Sequence, residues 1–240
     1  MNKSSILASV LVAIALCAAF YFGVNTSNTE LNPLLTELQD ELGVLKSQVQ
    51  QHEDINQIMN LQRIYGYYVD KGQWPQVANL FSDNGTIEIA GRGEFRGKDR
   101  ILEYLYHIVP GEENTTGLAY GTLMNHMNLQ PVIHIMPDGI TAKGRWRAFM
   151  QVAQKDTTAM WGEGTYENEY VKEDGIWKIS RLHTYINYYV DYYEGWDKGG
   201  IELFGEIEGL SPDGETTVEY QPFPNFFIPP YHYKNPVTGQ

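Results

Sequence analysis

Residues 125–150 read NHMNLQPVIHIMPDGITAKGRWRAFM, and the fold turns on this stretch. Two strand-like runs flank Pro137-Asp138-Gly139, a turn tripeptide, which predicts a β-hairpin. Side chains alternate between the faces of a strand. His126, Asn128 and Gln130 therefore share one face, while Met127 and Leu129 take the other. A histidine and two amides on one sheet face are an unusual way to fill a core. If that face lines a cavity, His126 is the residue suited to move a proton near neutral pH.

Downstream, residues 159–171 and 176–188 predict two more strands, joined at Glu173-Asp174-Gly175. The hairpin thus extends into a four-stranded antiparallel meander. Upstream, residues 98–108 form a helical pattern with Ile101, Leu102, Leu105 and Ile108 on one face. A polar loop, 110–121, separates it from the hairpin. Before it, Asp83-Asn84-Gly85 predicts a turn into a strand over 86–90, and a short extended piece runs through Phe95-Arg96. A short helix starts at Trp74-Pro75 and ends near Phe81, with proline in its first turn. A longer one passes Ile55, Met59, Leu61, Ile64 and Tyr68 and stops at Lys71-Gly72. The expected fold class is α+β: a cone-shaped, curved antiparallel sheet wrapped by three helices and enclosing a pocket, over residues 55–190.

Three segments flank that domain. Residues 1–28 hold Lys3 and an uncharged run over 6–24, the length of a signal peptide or a single membrane anchor. Cys17 and Ala19 suit cleavage, whereas Phe20-Tyr21-Phe22 suits an interfacial belt of an uncleaved anchor. Either way the remainder is expected to be exported, with the membrane touched only through this segment. Residues 29–54 carry a heptad pattern: Leu31, Leu35, Leu38, Leu42, Leu45, Val49 and His52 alternate four and three apart. Such a seam either pairs with a second helix or lies along its own domain. Residues 191–240 are rich in Tyr, Phe, Pro and Gly, and are expected to wrap the domain or a neighbouring subunit in extended form.

The net charge of -13 and pI near 4.8 argue against nucleic acid and anionic lipid surfaces as partners. Cys17 is the only cysteine, so the rest of the chain has no disulfide, thiol nucleophile or thiolate metal site. His126 and His134 share a strand face but lie roughly 27 Å apart by strand rise, too far to hold one ion. No phosphate loop, Ser-His-Asp order or nucleotide fingerprint appears, and nothing calls for a metal or a cofactor.

With these residues in view, the domain resembles the SnoaL-like family of the nuclear-transport-factor-2-like (ketosteroid-isomerase-like) superfamily. The resemblance is carried by YGYYVDKGQW at 65–74, GKDRI at 97–101, His126, TAKGRW at 141–146 and YVKEDGIWK at 170–178. The Asp/His arrangement resembles those of bile-acid 7α-dehydratase and scytalone dehydratase, which pair a helix-borne Tyr and Asp with a histidine on the sheet. The matching positions are Tyr65, Asp70 and His126. Where those enzymes place an aspartate or a histidine after the Gly-Arg-Trp motif, this chain has Met150. The last-strand arginine of the bile-acid enzyme falls at Ile186.

The resemblance implies a cofactor-independent lyase (dehydratase) or isomerase acting on a small hydrophobic molecule, polycyclic ones being among the candidates. Asp70, His126 and Tyr65 would be catalytic, and Tyr68, Asn128, Met150, Trp161 and Glu163 would line the substrate. A carboxylate beside an imidazole forms an acid–base pair, and a tyrosine can donate to a developing oxyanion. Glu163 lies between Gly162 and Gly164, where a bulge would re-aim it. Asp70 and His126 are expected to face one cavity. Arg145 and Arg147 read as a solvated strand face, and the tyrosines of 185–193 as a packed edge that anchors the tail. Two other readings stand beside the enzyme: a ligand-binding member of the same fold without chemistry, and an assembly module driven by the heptads. A homo-oligomer fits all three.

Overall fold

The structure, a computed structural model, describes residues 28–108, 116–201, 203–205 and 207–240. The apolar run at 6–24, with its signal or anchor reading, and the first half of the loop before the hairpin lie outside the described residues. Among the described residues, no helix is long and apolar enough to cross a membrane.

Helix α1 spans Asn28–Val69, α2 Trp74–Asn79 and α3 Lys98–Ile108. The strands are β1 Phe81–Ile89, β2 Glu94–Arg96, β3 Thr122–Ile135, β4 Thr141–Gln154, β5 Thr158–Glu173 and β6 Ile176–Asp191. They form one curved, unclosed sheet in the order β2-β1-β6-β5-β4-β3, antiparallel throughout except for the β1–β6 pair. The meander from β3 to β6 is the one the sequence predicts. The short pair β1–β2 adds to its far edge, and the β1–β6 contact can be parallel because β2, α3 and three strands of the meander, not a tight turn, connect the two. The chain divides into two compact units between Glu53 and Asp54. The second holds the sheet, α2, α3 and the last turns of α1.

The part of α1 in this unit buries Asp54, Ile58, Gln62, Tyr65, Gly66 and Val69, spaced so that they share one helical face. Two of these residues are polar and both are satisfied. Asp54 accepts from Lys172 Nζ at 2.6 Å and Trp177 Nε1 at 2.9 Å. Gln62 accepts from Tyr170 Oη and Asn168 Nδ2 and donates to Asn128 Oδ1. Helix and sheet are thereby pinned in one register, at positions where an unpaired buried polar group would cost about 1–3 kcal/mol.

Both predicted hairpin turns form. Asp138 Oδ1 accepts from the backbone of Ile140 and Thr141, and its Oδ2 from the Thr141 hydroxyl. At Asp174-Gly175 both residues have positive φ, the conformation a two-residue turn requires. Asp83-Asn84-Gly85 differs from expectation. It lies within β1, inside the irregularity that shifts the pairing with β6 between Phe81 and Thr86. A second irregularity interrupts β3 between Leu129 and Val132, where Gln130 takes φ 51 ahead of Pro131. Proline is tolerated there because β3 is an edge strand.

The tail wraps its own domain. Glu88, fully buried, accepts from Thr217 N at 2.8 Å and Thr217 Oγ1 at 2.6 Å. Tyr220 Oη accepts from Ile186 N, and Tyr185 is enclosed by His183, Tyr220 and Phe227. This bears out the anchoring role of Tyr185. Arg145 corrects the solvated-face expectation. It pairs with Glu167, donates to the carbonyls of Pro229 and Pro230, and lies 4.0 Å under the Tyr231 ring. His232 reaches Glu167 and His134 at the same place. Arg147 stays half-exposed, as expected, while bonded to Glu163 and Gln130.

Candidate active site

Pairing fixes which side chains share the inner face of the sheet. His126 on β3 lies opposite Met150, Met150 opposite Gly162, and Gly162 opposite Tyr189. Directly paired residues point the same way. On this face, beneath α1 and α3, is a cavity of about 360 Å³. Its walls are mostly apolar, with Val69, Leu105, Met124, Met150, Ile186 and Leu203 among them. Its polar groups are few: His126, Tyr65, Tyr166, Tyr189, Thr184 and Arg92 stand out. A second, larger pocket of about 730 Å³ lies under the tail, and no imidazole is among its described lining residues.

His126 is held from behind. Asp70, at the end of α1, accepts from the His126 backbone N–H at 2.6 Å, and the same oxygen lies 3.7 Å from His126 Nδ1. The two side chains are 16% and 12% exposed, so the pair is shielded on both sides. Nδ1 is buried and makes no hydrogen bond. With that edge of the ring turned to Asp70, Nε2 is the nitrogen presented to a ligand. Behind the strand, Asn128 donates to the His126 carbonyl and accepts from Gln62, which joins the site to the buried Tyr170–Trp146 network.

Asp70 departs from expectation in one respect. It is not part of the cavity wall. It lines a groove of about 330 Å³ on the other side of His126, with Arg63, Tyr67 and Asn125. The reason is geometric: a carboxylate that binds the backbone of β3 cannot also reach past the ring it supports. The two residues are adjacent, but only the imidazole faces the cavity.

Tyr65 lines the cavity, is buried, and meets Tyr166 edge-on with centroids 6.3 Å apart. Burial, followed by the neighbouring tyrosines, raises the pKa of its phenol well above the ordinary value, so it stays a hydrogen-bond donor. Met150 also lines the cavity, with its sulfur 3.9 Å from Tyr189 Oη. Tyr68 packs against the core outside the cavity wall. Asn128 works behind His126 instead of lining the cavity.

Trp161 and Glu163 flank Gly162 and therefore point to the outer face. There Trp161 packs on Phe149 and Tyr192, and Glu163 bonds Arg147 and Asn187. The bulge expected beside Glu163 exists, but its extra residue, Asn187, is on β6. Sequence reasoning also missed Tyr166, Tyr189, Thr184 and Arg92. Their signal was register: each lies on the inner face or beside it, and inner and outer parity was readable only from His126. Among the described residues, no group of three or more His, Cys, Asp or Glu side chains is placed to hold a metal ion.

This geometry sits in a region that matches the SnoaL-like domain family over residues 50–183. The chain belongs to that family. Its fold is the nuclear-transport-factor-2-like α+β fold. Hexachlorocyclohexane dehydrochlorinase 1 of Sphingobium indicum is 25% identical over 121 residues, covering 50% of this chain and 73% of that protein. Two solved structures are similar in fold. One, provisionally named a scytalone dehydratase, is from Novosphingobium aromaticivorans, with TM-score 0.52 and 18% identity, covering 65% of this chain and 97% of that one. The other is a type-3 hexachlorocyclohexane dehydrochlorinase from Novosphingobium barchaimii, with TM-score 0.51 and 17% identity, covering 65% and 97% respectively.

Proposed function

We propose that this SnoaL-like chain is a cofactor-independent lyase or isomerase in which His126 exchanges a proton with a small hydrophobic molecule. One observation carries the reading: the His126 imidazole stands in the wall of an apolar cavity with its Nδ1 edge turned to the Asp70 carboxylate. In an elimination, Nε2 takes a proton from carbon. The C–H electron pair becomes the new double bond, and the leaving group departs from the adjacent carbon with its own bonding pair. Asp70 steadies the imidazolium that results. In an isomerisation the same nitrogen returns the proton to another carbon. The buried, protonated Tyr65 donates to an oxygen that gains charge on the way. A relative named for removing hydrogen chloride from hexachlorocyclohexane supports the elimination branch.

The test is proton removal from apolar molecules that carry an acidic C–H beside a leaving group, beginning with hexachlorocyclohexane and chloride release. His126→Ala is expected to abolish turnover with an unchanged melting curve. Turnover equal to that of the unmodified chain would remove His126 from the reaction. Met150 favours a second reading, because related dehydratases have a titratable side chain where this thioether lines the cavity. Under that reading the cavity binds its ligand tightly and no product forms. We further propose that residues 29–54 pair with a second copy of the chain. Export, with residues 6–24 as signal or anchor, belongs to the same proposal.

A further inference from the structure

Arg92 sets this cavity apart from a plain apolar pocket. Seven arginines lie in the folded unit, and five of them have a carboxylate partner. Arg96 pairs with Glu94, Arg100 with Glu103 and Asp213, Arg145 with Glu167, Arg147 with Glu163, and Arg181 lies 3.7 Å from Glu88. Arg63 is exposed. Arg92 lines the cavity and has no carboxylate within ion-pair distance among the described residues.

Its surroundings hold it in place. Gly91 and Gly93 flank it, and both are closed in by the tail. A Cβ on Gly91 would lie 1.9 Å from the Phe204 ring, and one on Gly93, where φ is +84°, 2.6 Å from Pro212. Gly91 N donates to Leu203 O, and Gly205 N donates back to Gly91 O. The tail thus fixes the backbone that carries the guanidinium and supplies Leu203 and Ile201 to the same cavity wall.

Two phenols stand near the guanidinium. Tyr189 lines the cavity, and burial pushes its pKa up to about 12, with Arg92 partly offsetting the rise. Tyr104 is buried and is not among the residues that line the cavity; burial raises its pKa, and Arg92 partly offsets the rise there too. A cation facing an apolar cavity, beside a phenol of the same wall that keeps its proton, is half of an anion site.

We propose that Arg92, with Tyr189 in the same wall, binds the oxyanion head of an apolar acid, a carboxylate or sulfonate, whose hydrocarbon body fills the cavity toward Met150 and His126. The inference rests on the reading of this cavity as the substrate site and names the substrate class. The planar fork of a guanidinium matches two oxygens of such a head, which a lysine cannot do in the same way. In a chain of net charge -13, a cation so placed selects against the repulsion that the rest of the molecule presents to anions.

The test compares two fluorescent probes of similar apolar body on the whole chain: the anion 1-anilinonaphthalene-8-sulfonate and the neutral N-phenyl-1-naphthylamine. Both should bind with one-to-one stoichiometry, and Met150→Trp, which narrows the cavity beside His126, should weaken both. Arg92→Met should weaken the anion at least about tenfold and leave the neutral probe within about twofold. Arg92→Lys should fall between. Thermal melts and Arg92→Gln guard against a folding defect, since Gln keeps a donor without the charge and should lose the anion alone. Equal affinity of Arg92→Met for both probes, relative to the unmodified chain, overturns the role of Arg92 while leaving the cavity as a ligand site. Binding of both probes untouched by Met150→Trp overturns the cavity reading itself.

Discussion

Gly66 of α1 approaches His126 of β3 so closely that a Cβ on the glycine would lie 2.7 Å from the His126 carbonyl oxygen. Helix and strand meet where glycine alone fits, and one turn later the same helix face delivers Asp70 to the His126 N–H. Gly66→Ala would improve helix propensity by about 1 kcal/mol. The clash with a backbone atom should outweigh that gain and cost on the order of 1–3 kcal/mol. Urea unfolding should therefore show a net loss of stability. A stabilised alanine variant would contradict so close an approach.

Asp70 has two tasks, and substitutions separate them. Asn at this position keeps an oxygen for the His126 N–H but loses the charge beside Nδ1. Asp70→Asn should keep the melting temperature within a few degrees and lower turnover sharply. Asp70→Ala should cost about 1–3 kcal/mol as well, by leaving the buried N–H unpaired. If Asn and Ala were equally destabilised, the backbone bond would not be what holds the strand.

Met150 is buried opposite His126 with Tyr189 Oη 3.9 Å from its sulfur. Leucine conserves its volume, so Met150→Leu should change stability by less than about 1.5 kcal/mol. Its effect should appear in probe affinity more than in any proton-transfer rate. Lost turnover with binding intact would give the thioether a chemical role.

His183 sets a pH dependence of stability. Burial, then the Arg181 guanidinium, lowers its pKa to about 3. Arg181 donates to His183 Nδ1 at 3.0 Å, which requires a neutral ring, and leaves the Nε2 edge 3.6 Å from Glu88. Above pH 6.5 neither the folded nor the unfolded chain protonates this ring, so stability is unaffected. As pH falls from there toward 3, only the unfolded chain takes up the proton, and up to roughly 1.4 kcal/mol is lost per pH unit. His183→Gln should show a shallower fall in melting temperature between pH 7 and 4.5 than the unmodified chain. An equal or steeper fall would mean that Glu88 keeps the folded ring charged.

How legible this site was in the sequence depends on how far each residue's position follows from local pattern. His126 and its face followed from simple alternation, and the two turns from their residue types. Gln130 did not follow, because the φ 51 bulge before Pro131 breaks the alternation at that point. Local pattern puts Trp161 and Glu163 on the wrong face because strand parity on β5 depends on which residue meets Met150, and register is a tertiary fact. Arg92 was hidden for a different reason. Gly-Arg-Gly reads locally as a loose connector, and it becomes a rigid mount only through Phe204 and Pro212, more than a hundred residues away. Asp70 was legible as a partner of His126, but not as a support placed behind it.

The heptad segment carries the last prediction. On α1, Leu35, Leu38, Leu45 and Val49 are all more than 40% exposed in the single chain. A four-three seam left open in this way is suited to an identical helix. If Leu35, Leu42 and Val49 are a positions and Leu38 and Leu45 are d, then Glu41 is a g position and Lys46 the e position five residues on. In a parallel pair each Glu41 faces Lys46 of the other copy, on both sides of the seam. In a chain with so few cations, this is the one opposite-charge g–e pairing between residues 34 and 53. Deletion of residues 29–54 should then lower the mass seen by light scattering. Leu38→Asp should do the same with the folded domain intact. Lys46→Glu should weaken assembly, and Glu41→Lys on the Lys46→Glu background should restore it. Rescue by the double exchange identifies a parallel pair of this register, whereas an unchanged mass in all four variants removes the seam from assembly.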